Sequence, residues 1–470
     1  MNDERPSHLN SSFPKGRAST RGRGDTIVAI ATMVGRSAVA VVRLSGHDAG
    51  EIGRRCVRPW PTTARTMTRC AVHDPVTGRH LDDGLVVEFP APASYTGETV
   101  VELHCHGGFS VPAAVESALI RAGARPALAG EFTERAVLNG KIDLVTAEAI
   151  GELIDARTRA MHRAAIQSLS GTLVRQYAEL RSEVIAAEAL LAFDIDFPEE
   201  DHGPIGREQV DGAVVRVEAR IATLLATAPA AILGRDGALV VLAGPTNAGK
   251  SSLLNAMVGE ARVIVSDEPG TTRDAVEVLL DTDPWPIRLV DTAGLRGDAG
   301  VVERLGIAVS ERYLGGADIV VVCAESPEEI ARITTRVRAL GDAAIVEVLT
   351  KNDLWTPATA GIHGAALSVS AVTGHGLSAL RDTILAIVAA KVGRPDDQGP
   401  LVTSARQRAA LETARDELAE FRLAWREGVL PTPVVATYLR ATIHALDHLI
   451  GAVDVDAVLA RVFSTFCVGK

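Results

Sequence analysis

The sequence has no CxxC pair, no long apolar run and no surplus of positive charge, and each lack removes a class of protein. Its five cysteines (Cys56, Cys70, Cys105, Cys323 and Cys467) are odd in number and scattered over 470 residues. That excludes a disulfide framework and a zinc cage, and it points to a reducing cytoplasm. No stretch approaches the roughly 20 apolar residues that span a bilayer, so no membrane is expected as a partner. The longest apolar pieces, such as ALVVLAG at 238–244, read as buried strands. A net charge of −11 argues against a protein that coats nucleic acid by bulk electrostatics. Any RNA contact is then local or shared with a partner. Repeats of solenoid period are missing too.

Residues 1–24 are rich in Ser, Arg and Gly. They lack the apolar stretch of a secretory signal and the amphipathic face of a mitochondrial presequence, and read as a disordered tail. From Asp25 the pattern changes. DTIVAIAT, AVAVVRLSG, LDDGLVVEFP and TVVELHCHGG read as strands, and VPAAVESALIRAG as a helix ended by Gly123. This predicts an α+β domain over 25–142. Ala, Leu, Glu and Arg at helical spacing then predict a first helical part over 143–235, broken near IDFPEED at 195–201. Strands alternating with helices over 236–392 predict a parallel α/β domain. KVGRPDDQGP at 391–400 reads as a linker, and 393–470 as the second helical part. The fold class is therefore multidomain, with an α/β domain inserted into an all-α one, as chain ends that lie close together allow.

GPTNAGKS at 244–251 fits GxxxxGK[ST] between a strand and a helix, the context a phosphate-binding loop requires. Backbone N–H groups of Asn247, Ala248 and Gly249 would face phosphate oxygens, with Ser251 and Ser252 opening the helix at its positive dipole end. Lys250 is expected to reach the β- and γ-phosphates, and the Ser251 hydroxyl to bind Mg²⁺. DTAG (Asp291, Thr292, Ala293, Gly294) ends the strand PIRLV, which makes Asp291 the acid near the metal. GTTRD lies between these motifs and would close over the metal through Thr272. TKND (Thr350, Lys351, Asn352, Asp353) follows another strand. A carboxylate at Asp353 can accept from guanine N1–H and the 2-amino group. Adenine offers neither donor and would leave that carboxylate buried and unpaired, which would reject ATP. SAVTGHG, with Ser370, Ala371 and Val372, would close the base pocket. Together these motifs predict a guanine-nucleotide hydrolase.

Two departures bear on its chemistry. The usual base reader is NKxD, and Thr350 stands where Asn is common, so only a hydroxyl is available there. Leu295 follows DTAG where many GTPases carry a water-orienting Gln, and an apolar chain does not polarise water. Glu303 in GVVERLG is the best nearby acid, read either as a catalytic group or as a solvated helix charge. On TVVELHCHGG, period-2 alternation sends Glu102, His104 and His106 one way and Leu103 and Cys105 the other. A metal held by the first three is a rival reading, weakened by their spread of roughly 13 Å along a straight strand.

DTIVAIAT, VRLSG, SYTGETVVELHCHGG, GEFTERAVLNGKIDLVTAEAI, IDFPEED, the nucleotide motifs, VERLG and the terminal FCVGK occur in this order from Asp25 to Lys470. With them the chain resembles the MnmE (TrmE) family of tRNA modification GTPases. The resemblance implies a folate-binding, dimerising N-terminal domain and a Ras-like G domain inserted in a helical domain. It implies a homodimer working with the FAD-dependent MnmG (GidA) in a heterotetrameric or larger complex. Together they would place an aminomethyl or carboxymethylaminomethyl group at C5 of the wobble uridine of certain tRNAs. The one-carbon unit would come from a reduced folate, 5-formyl- or methylene-tetrahydrofolate. A K⁺ ion would activate hydrolysis, held by Asn247 and by Ser266, Glu268 and Thr271 of VSDEPGTT, the loop that also contains Asp267, Pro269 and Gly270. Glu303 matches the glutamate that orients the attacking water. Arg43, Glu102, Lys141 and Lys470 match the folate contacts. The family's Gly-Gly before the second strand is Ser37-Ala38 here, and TSARQR at 403–408 lacks an expected His. Cys467 lies four places from the end, yet Gly469 and Lys470 do not suit prenylation. The resemblance carries its thiol toward the folate pocket, as a nucleophile or as a placed side chain. The reading from another class is a regulatory or ribosome-assembly GTPase that modifies nothing.

Overall fold

A computed structural model describes residues 24–196, 207–260, 263–264, 276–291, 313–354, 366–393, 401–451, 462–463, 466–467 and 469. Contacts divide the chain into two units, Met1–Lys141 with Ala457–Lys470, and Ile142–Asp456. The last residues thus group with the N-terminal unit, whereas the sequence reading ran them on from the second helical part.

In the first unit the order is β1 (Ile27–Ile30), β2 (Gly35–Ser45), α1 (Ala49–Cys56), β3 (Val57–Arg58), β4 (Thr68–His73), β5 (His80–Phe89), β6 (Val100–Gly108), α2 (Ser110–Arg121), β7 (Arg125–Pro126) and α3 (Glu131–Leu138). The strands form one sheet in the order β3-β4-β5-β6-β2-β1-β7. All pairs are antiparallel except β1 with β7. Alternation decides the two faces. Val42, Leu44, Val86, Leu103 and Cys105 are buried in one core with Ile52 of α1 and Val115 and Leu119 of α2. Ile27 and Ala29 point to the opposite face and pack with Phe132 of α3.

GEFTER, read only as part of a motif, builds α3 and a charge network. Glu131 is 3 % exposed. It accepts from the Leu128 N–H at 2.8 Å and from Arg125 Nη2 at 2.5 Å. Arg135 donates to Glu98 Oε2 at 2.9 Å and to Asp25 Oδ1 at 2.8 Å. The tail docks beside α3. Phe463 is buried and meets Phe466 edge-on at 5.2 Å, and the Gly130 N–H donates to the Cys467 carbonyl at 3.3 Å. Gly469 has φ +101°, and a Cβ there would lie 2.6 Å from the Ile30 carbonyl oxygen. Only glycine fits that conformation against β1.

The second unit begins with α4 (Leu144–Asp155), α5 (Arg159–Leu169), α6 (Thr172–Asp196), α7 (Arg207–Leu225) and α8 (Ala228–Asp236). An α/β segment follows: β8 (Ala238–Ala243), α9 (Lys250–Glu260), β9 (Val263–Ile264), β10 (Val276–Leu280), β11 (Ile287–Asp291), β12 (Ile319–Ala324), α10 (Pro327–Arg338), β13 (Ala344–Leu349), β14 (Leu367–Ser368) and α11 (Leu377–Val392). The chain then returns to helices α12 (Ala405–Glu427) and α13 (Thr432–Ile450). Leu173, Tyr177 and Leu180 of α6 and Val210, Val214 and Ile221 of α7 share one core with Leu418 and Phe421 of α12 and Leu446 of α13. One apolar core thus draws on helices from both sides of the α/β segment. Among the described residues one helical run, Glu208–Asp236, is long and apolar enough to cross a membrane, a run the sequence reading did not single out. Its Val210, Val214, Val217 and Ile221 are buried in that core.

The two helical stretches are joined by a buried ion pair. Glu148 of α4 accepts from Arg406 Nε at 2.7 Å, Arg406 Nη2 at 2.9 Å, Gln407 Nε2 at 2.8 Å and Ser404 Oγ at 3.1 Å. Arg406 also donates to the carbonyls of His448 and Leu449 at the end of α13. One turn along α4, burial and the nearby Glu148 charge push the Glu152 carboxyl up to about 7. Folding therefore favours protonated Glu152. Its stabilisation is present below the ordinary carboxylate pKa and is lost as pH rises through about 7. Glu152→Gln is expected to remove this loss and gain on the order of 1–2 kcal/mol at pH 8, after discounting for the half-exposed side chain. The check is Tm against pH: the variant's profile should be flatter between pH 5 and pH 8 than the parent's.

The α/β sheet runs β14-β13-β12-β8-β11-β10-β9. β14, β13, β12, β8 and β11 are parallel; β10 runs antiparallel to β11, and β9 antiparallel to β10. Every residue of β8 and β12 is buried, as expected of central parallel strands covered on both faces. The turn joining β10 to β11 is fastened to the helices. Asp281 accepts from the Arg159 N–H at 3.0 Å and from Arg159 Nε at 3.2 Å. Arg163 Nη2 donates to Asp283 Oδ1 and to the Pro284 carbonyl, both at 3.0 Å. Trp285 is 1 % exposed, and its Nε1–H donates to the Gly393 carbonyl at 3.0 Å.

Candidate functional site

The phosphate loop leaves β8 where β12 runs alongside. Gly244 has φ +157°, and a Cβ there would lie 2.1 Å from the Cys323 carbonyl oxygen. Asn247 lies exposed on the loop in the left-handed region, φ 66°. Ala248 is buried, and Gly249 lies against Thr350, with 3.9 Å from its would-be Cβ to Thr350 Cβ. Lys250, the first residue of α9, is 4 % exposed. Its Nζ donates to the Gly244 carbonyl at 3.0 Å and the Pro245 carbonyl at 2.7 Å, so the charge arches over its own loop. Ser251 Oγ donates to Asp291 Oδ2 at 2.5 Å. The hydroxyl and carboxylate expected at a divalent cation are thus side by side, from α9 and the end of β11. Ser252 is exposed on the next position.

The base side comes from the loops after β13 and β14. Thr350 is buried and its Oγ1 donates to the Ala324 carbonyl at 3.2 Å, tying the β13 loop to β12. The one hydroxyl left at this position is thus spent on joining two strand ends. Lys351 Nζ pairs with Glu325 at 2.5 Å, and the Asn352 N–H donates to the Val369 carbonyl at 3.3 Å. Ser370 Oγ donates to Asp353 Oδ1 at 2.6 Å and accepts from the N–H groups of Val372 and Thr373. Asp353 itself is exposed, not buried as the specificity argument assumed; one oxygen is oriented by Ser370. Ala371 is half-buried and Val372 exposed on the same loop. Ser266, Asp267, Glu268, Pro269, Gly270, Thr271, Thr272, Thr292, Ala293, Gly294 and Glu303 lie outside the described residues.

A second cluster lies on the sheet of the N-terminal unit, on the face opposite α2. Register pairs Arg43 with Glu102 and Val41 with His104. Arg43 Nε and Nη2 meet Glu102 Oε1 at 2.9 and 2.8 Å. The guanidinium lies 5.9 Å from the Tyr95 ring and 5.8 Å from the Phe132 ring, and its Nη1 donates to the Gly469 carbonyl at 3.4 Å. Lys141 is exposed and donates to the Pro92 carbonyl at 3.0 Å, on the loop that presents Tyr95. Lys470 lies outside the described residues. Glu102, His104 and His106 do not converge on one point, because His106 Nδ1 is 2.8 Å from Asp82 Oδ1. Tyr95 and Phe132 went unnoticed in the sequence; the only signal was their place in SYTGET and GEFTER. Cys467 is exposed, whereas burial pushes the thiols of Cys56, Cys70 and Cys105 up to about 11 and that of Cys323 to about 12.

A phosphate loop, a Ser–Asp pair beside it and a guanine-reading loop on the carboxyl ends of parallel strands define a P-loop GTPase. The GTP-binding protein TrmE N-terminus family matches residues 26–141, and the MnmE helical domain family matches residues 144–467. A tRNA modification GTPase MnmE from Methylorubrum populi is 42 % identical, covering 95 % of this chain and 98 % of that one. The protein of the same name from Moorella thermoacetica is 38 % identical over 95 % of this chain and 99 % of its own, and that from Aquifex aeolicus 36 % over 95 % and 100 %. Among solved structures, the G domain of the T. maritima FeoB iron transporter is 26 % identical, covers 32 % of this chain and 97 % of its own, and has a TM-score of 0.25. The chain belongs to the MnmE family of tRNA modification GTPases, and it is a GTP hydrolase acting in tRNA modification.

Proposed function

We propose that this GTPase acts in the cytoplasm as a K⁺-activated homodimer with an FAD-dependent partner of the MnmG kind. Together they modify C5 of the wobble uridine of certain tRNAs with a one-carbon unit from a reduced folate. The observation that carries the reading is the meeting of Arg43, Glu102 and the Gly469 carbonyl on one sheet face. A GTPase that only switches has no use for a carboxylate–guanidinium pair covered by its own C-terminal tail. Arg43 suits the carboxylates or carbonyls of a folate, Glu102 its amino and ring N–H groups, and Lys141 and Lys470 its charged end. Ser251 with Asp291 suits Mg²⁺, joined by Thr272. The exposed Asn247 suits K⁺, with Ser266, Glu268 and Thr271 completing the shell. K⁺ supplies positive charge where negative charge builds between the β- and γ-phosphates. Glu303 orients water, and Cys467 presents a thiol beside the folate.

The test is the wobble nucleoside of tRNA from a strain lacking the protein, with and without its return. We expect the modified uridine to vanish and reappear; an unchanged nucleoside would favour the switch-only reading. Hydrolysis in K⁺ and in Na⁺ is the companion measurement, and equal rates would sink the role given to Asn247.

A further inference from the structure

We infer that His104 is a further ligand-reading residue of the folate site, which donates a hydrogen bond from Nε2 to a ring carbonyl of the bound reduced pterin. The inference rests on the folate reading above and adds to it a residue that reads the ring. Four observations lead to it.

First, His104 stands two places from Glu102 on β6, on the same face, with its side chain 23 % exposed. Second, its Nε2 is buried and makes no hydrogen bond among the described residues. A buried polar atom without a partner is rare and unfavourable, so such an atom beside a ligand site implies a partner that arrives with the ligand. Third, Glu102 has one oxygen committed and one open. Arg43 holds Oε1, while Oε2 accepts no hydrogen bond among the described residues and lies 3.7 Å from His104 Nε2. Fourth, the histidine two places further on is already engaged. His106 is exposed and bonded to Asp82, so the open imidazole on this face is His104.

An open carboxylate oxygen next to an open imidazole nitrogen is a defined recognition element. It fits a lactam edge, where a ring N–H and a ring C=O are adjacent. The carboxylate accepts from the N–H, and an imidazole carrying a proton on Nε2 donates to the C=O. A reduced pterin carries such an edge. A ring bearing an amino group in place of the carbonyl sets donor against donor and is disfavoured. Arg43 fixes Glu102 in place, and Tyr95 and Phe132 beside Arg43 give the ring apolar surfaces.

The experiment measures 5-formyltetrahydrofolate binding to the full-length protein by calorimetry, for the parent, His104→Ala and His104→Gln. Tm of each ligand-free protein is recorded alongside. His104→Ala is expected to weaken binding about tenfold, the usual scale for one hydrogen bond. His104→Gln keeps a donor and should stay within about threefold of the parent. Tm of the alanine variant should be unchanged or higher, since an unpartnered polar atom has been removed. Alanine binding as tightly as the parent would overturn the inference alone. So would equal losses in both variants together with a lowered Tm, which is the mark of a structural residue. No binding by the parent would overturn the folate reading and this inference with it.

Discussion

Lys250→Ala is expected to cut single-turnover GTP hydrolysis by a factor on the order of 10²–10³, the range for losing one charged or polar group aimed at developing charge. The structure says why the loss is large. Lys250 is almost wholly buried, and its ammonium rests on the carbonyls of Gly244 and Pro245 at the mouth of the phosphate loop. It is held where phosphate oxygens arrive, so little reorganisation is needed when they do. The same placement predicts weaker nucleotide binding, because the charge faces ground state and transition state alike. The measurement pairs hydrolysis rate with the affinity for a non-hydrolysable GTP analogue. Both should fall, with the rate at saturating nucleotide falling as well. A saturating rate within threefold of the parent would show that Lys250 only binds.

The second large effect concerns stability. Glu148→Ala should destabilise the helical core by about 3–5 kcal/mol, the cost of breaking a buried pair by removing one partner. Glu148 is 9 % exposed and accepts four hydrogen bonds from Ser404, Arg406 and Gln407. Alanine leaves the Arg406 guanidinium in the interior with only the carbonyls at the end of α13. Removing Arg406 as well should cost less than the two single losses added together, because the double variant buries no lone charge. Urea denaturation followed by tryptophan fluorescence and by helical circular dichroism would give both numbers. A cost below 1 kcal/mol for Glu148→Ala would mean that water already reaches the pair.

How much of this was readable in the sequence depended on how far apart the partners lie. The phosphate loop and its lysine are contiguous, and their strand and helix flanks show in the text itself. Alternation along TVVELHCHGG placed Leu103 and Cys105 inside and Glu102 on the other face, because a strand has period two whatever surrounds it. The Glu148–Arg406 pair left no mark, since its members stand 258 positions apart and on different sides of the inserted domain. α1 and α3 were missed as well; α3 is only eight residues long, and its buried Glu131 and half-buried Arg135 look like surface residues until Arg125, Asp25 and Glu98 are beside them. The exposure of Asp353 was misjudged for a related reason. A motif states which side chain faces the base but not how deep the loop lies.

The hairpin of β10 and β11 is fastened at both ends. Its two strands are paired over five residues, from Val276↔Asp291 to Leu280↔Ile287. At one end Asp291 meets the Ser251 hydroxyl, and at the other Asp281 and Asp283 are bolted to Arg159 and Arg163 while Trp285 is pinned to Gly393. A hydrogen-bonded ladder stretches little. A displacement of Asp291 would therefore be passed along the ladder to the bolts, and a load on α5 would reach Asp291. The hairpin has the build of a connecting rod, and any coupling it carries is reciprocal: the free energy with which nucleotide biases the helices is that with which the helices bias nucleotide binding.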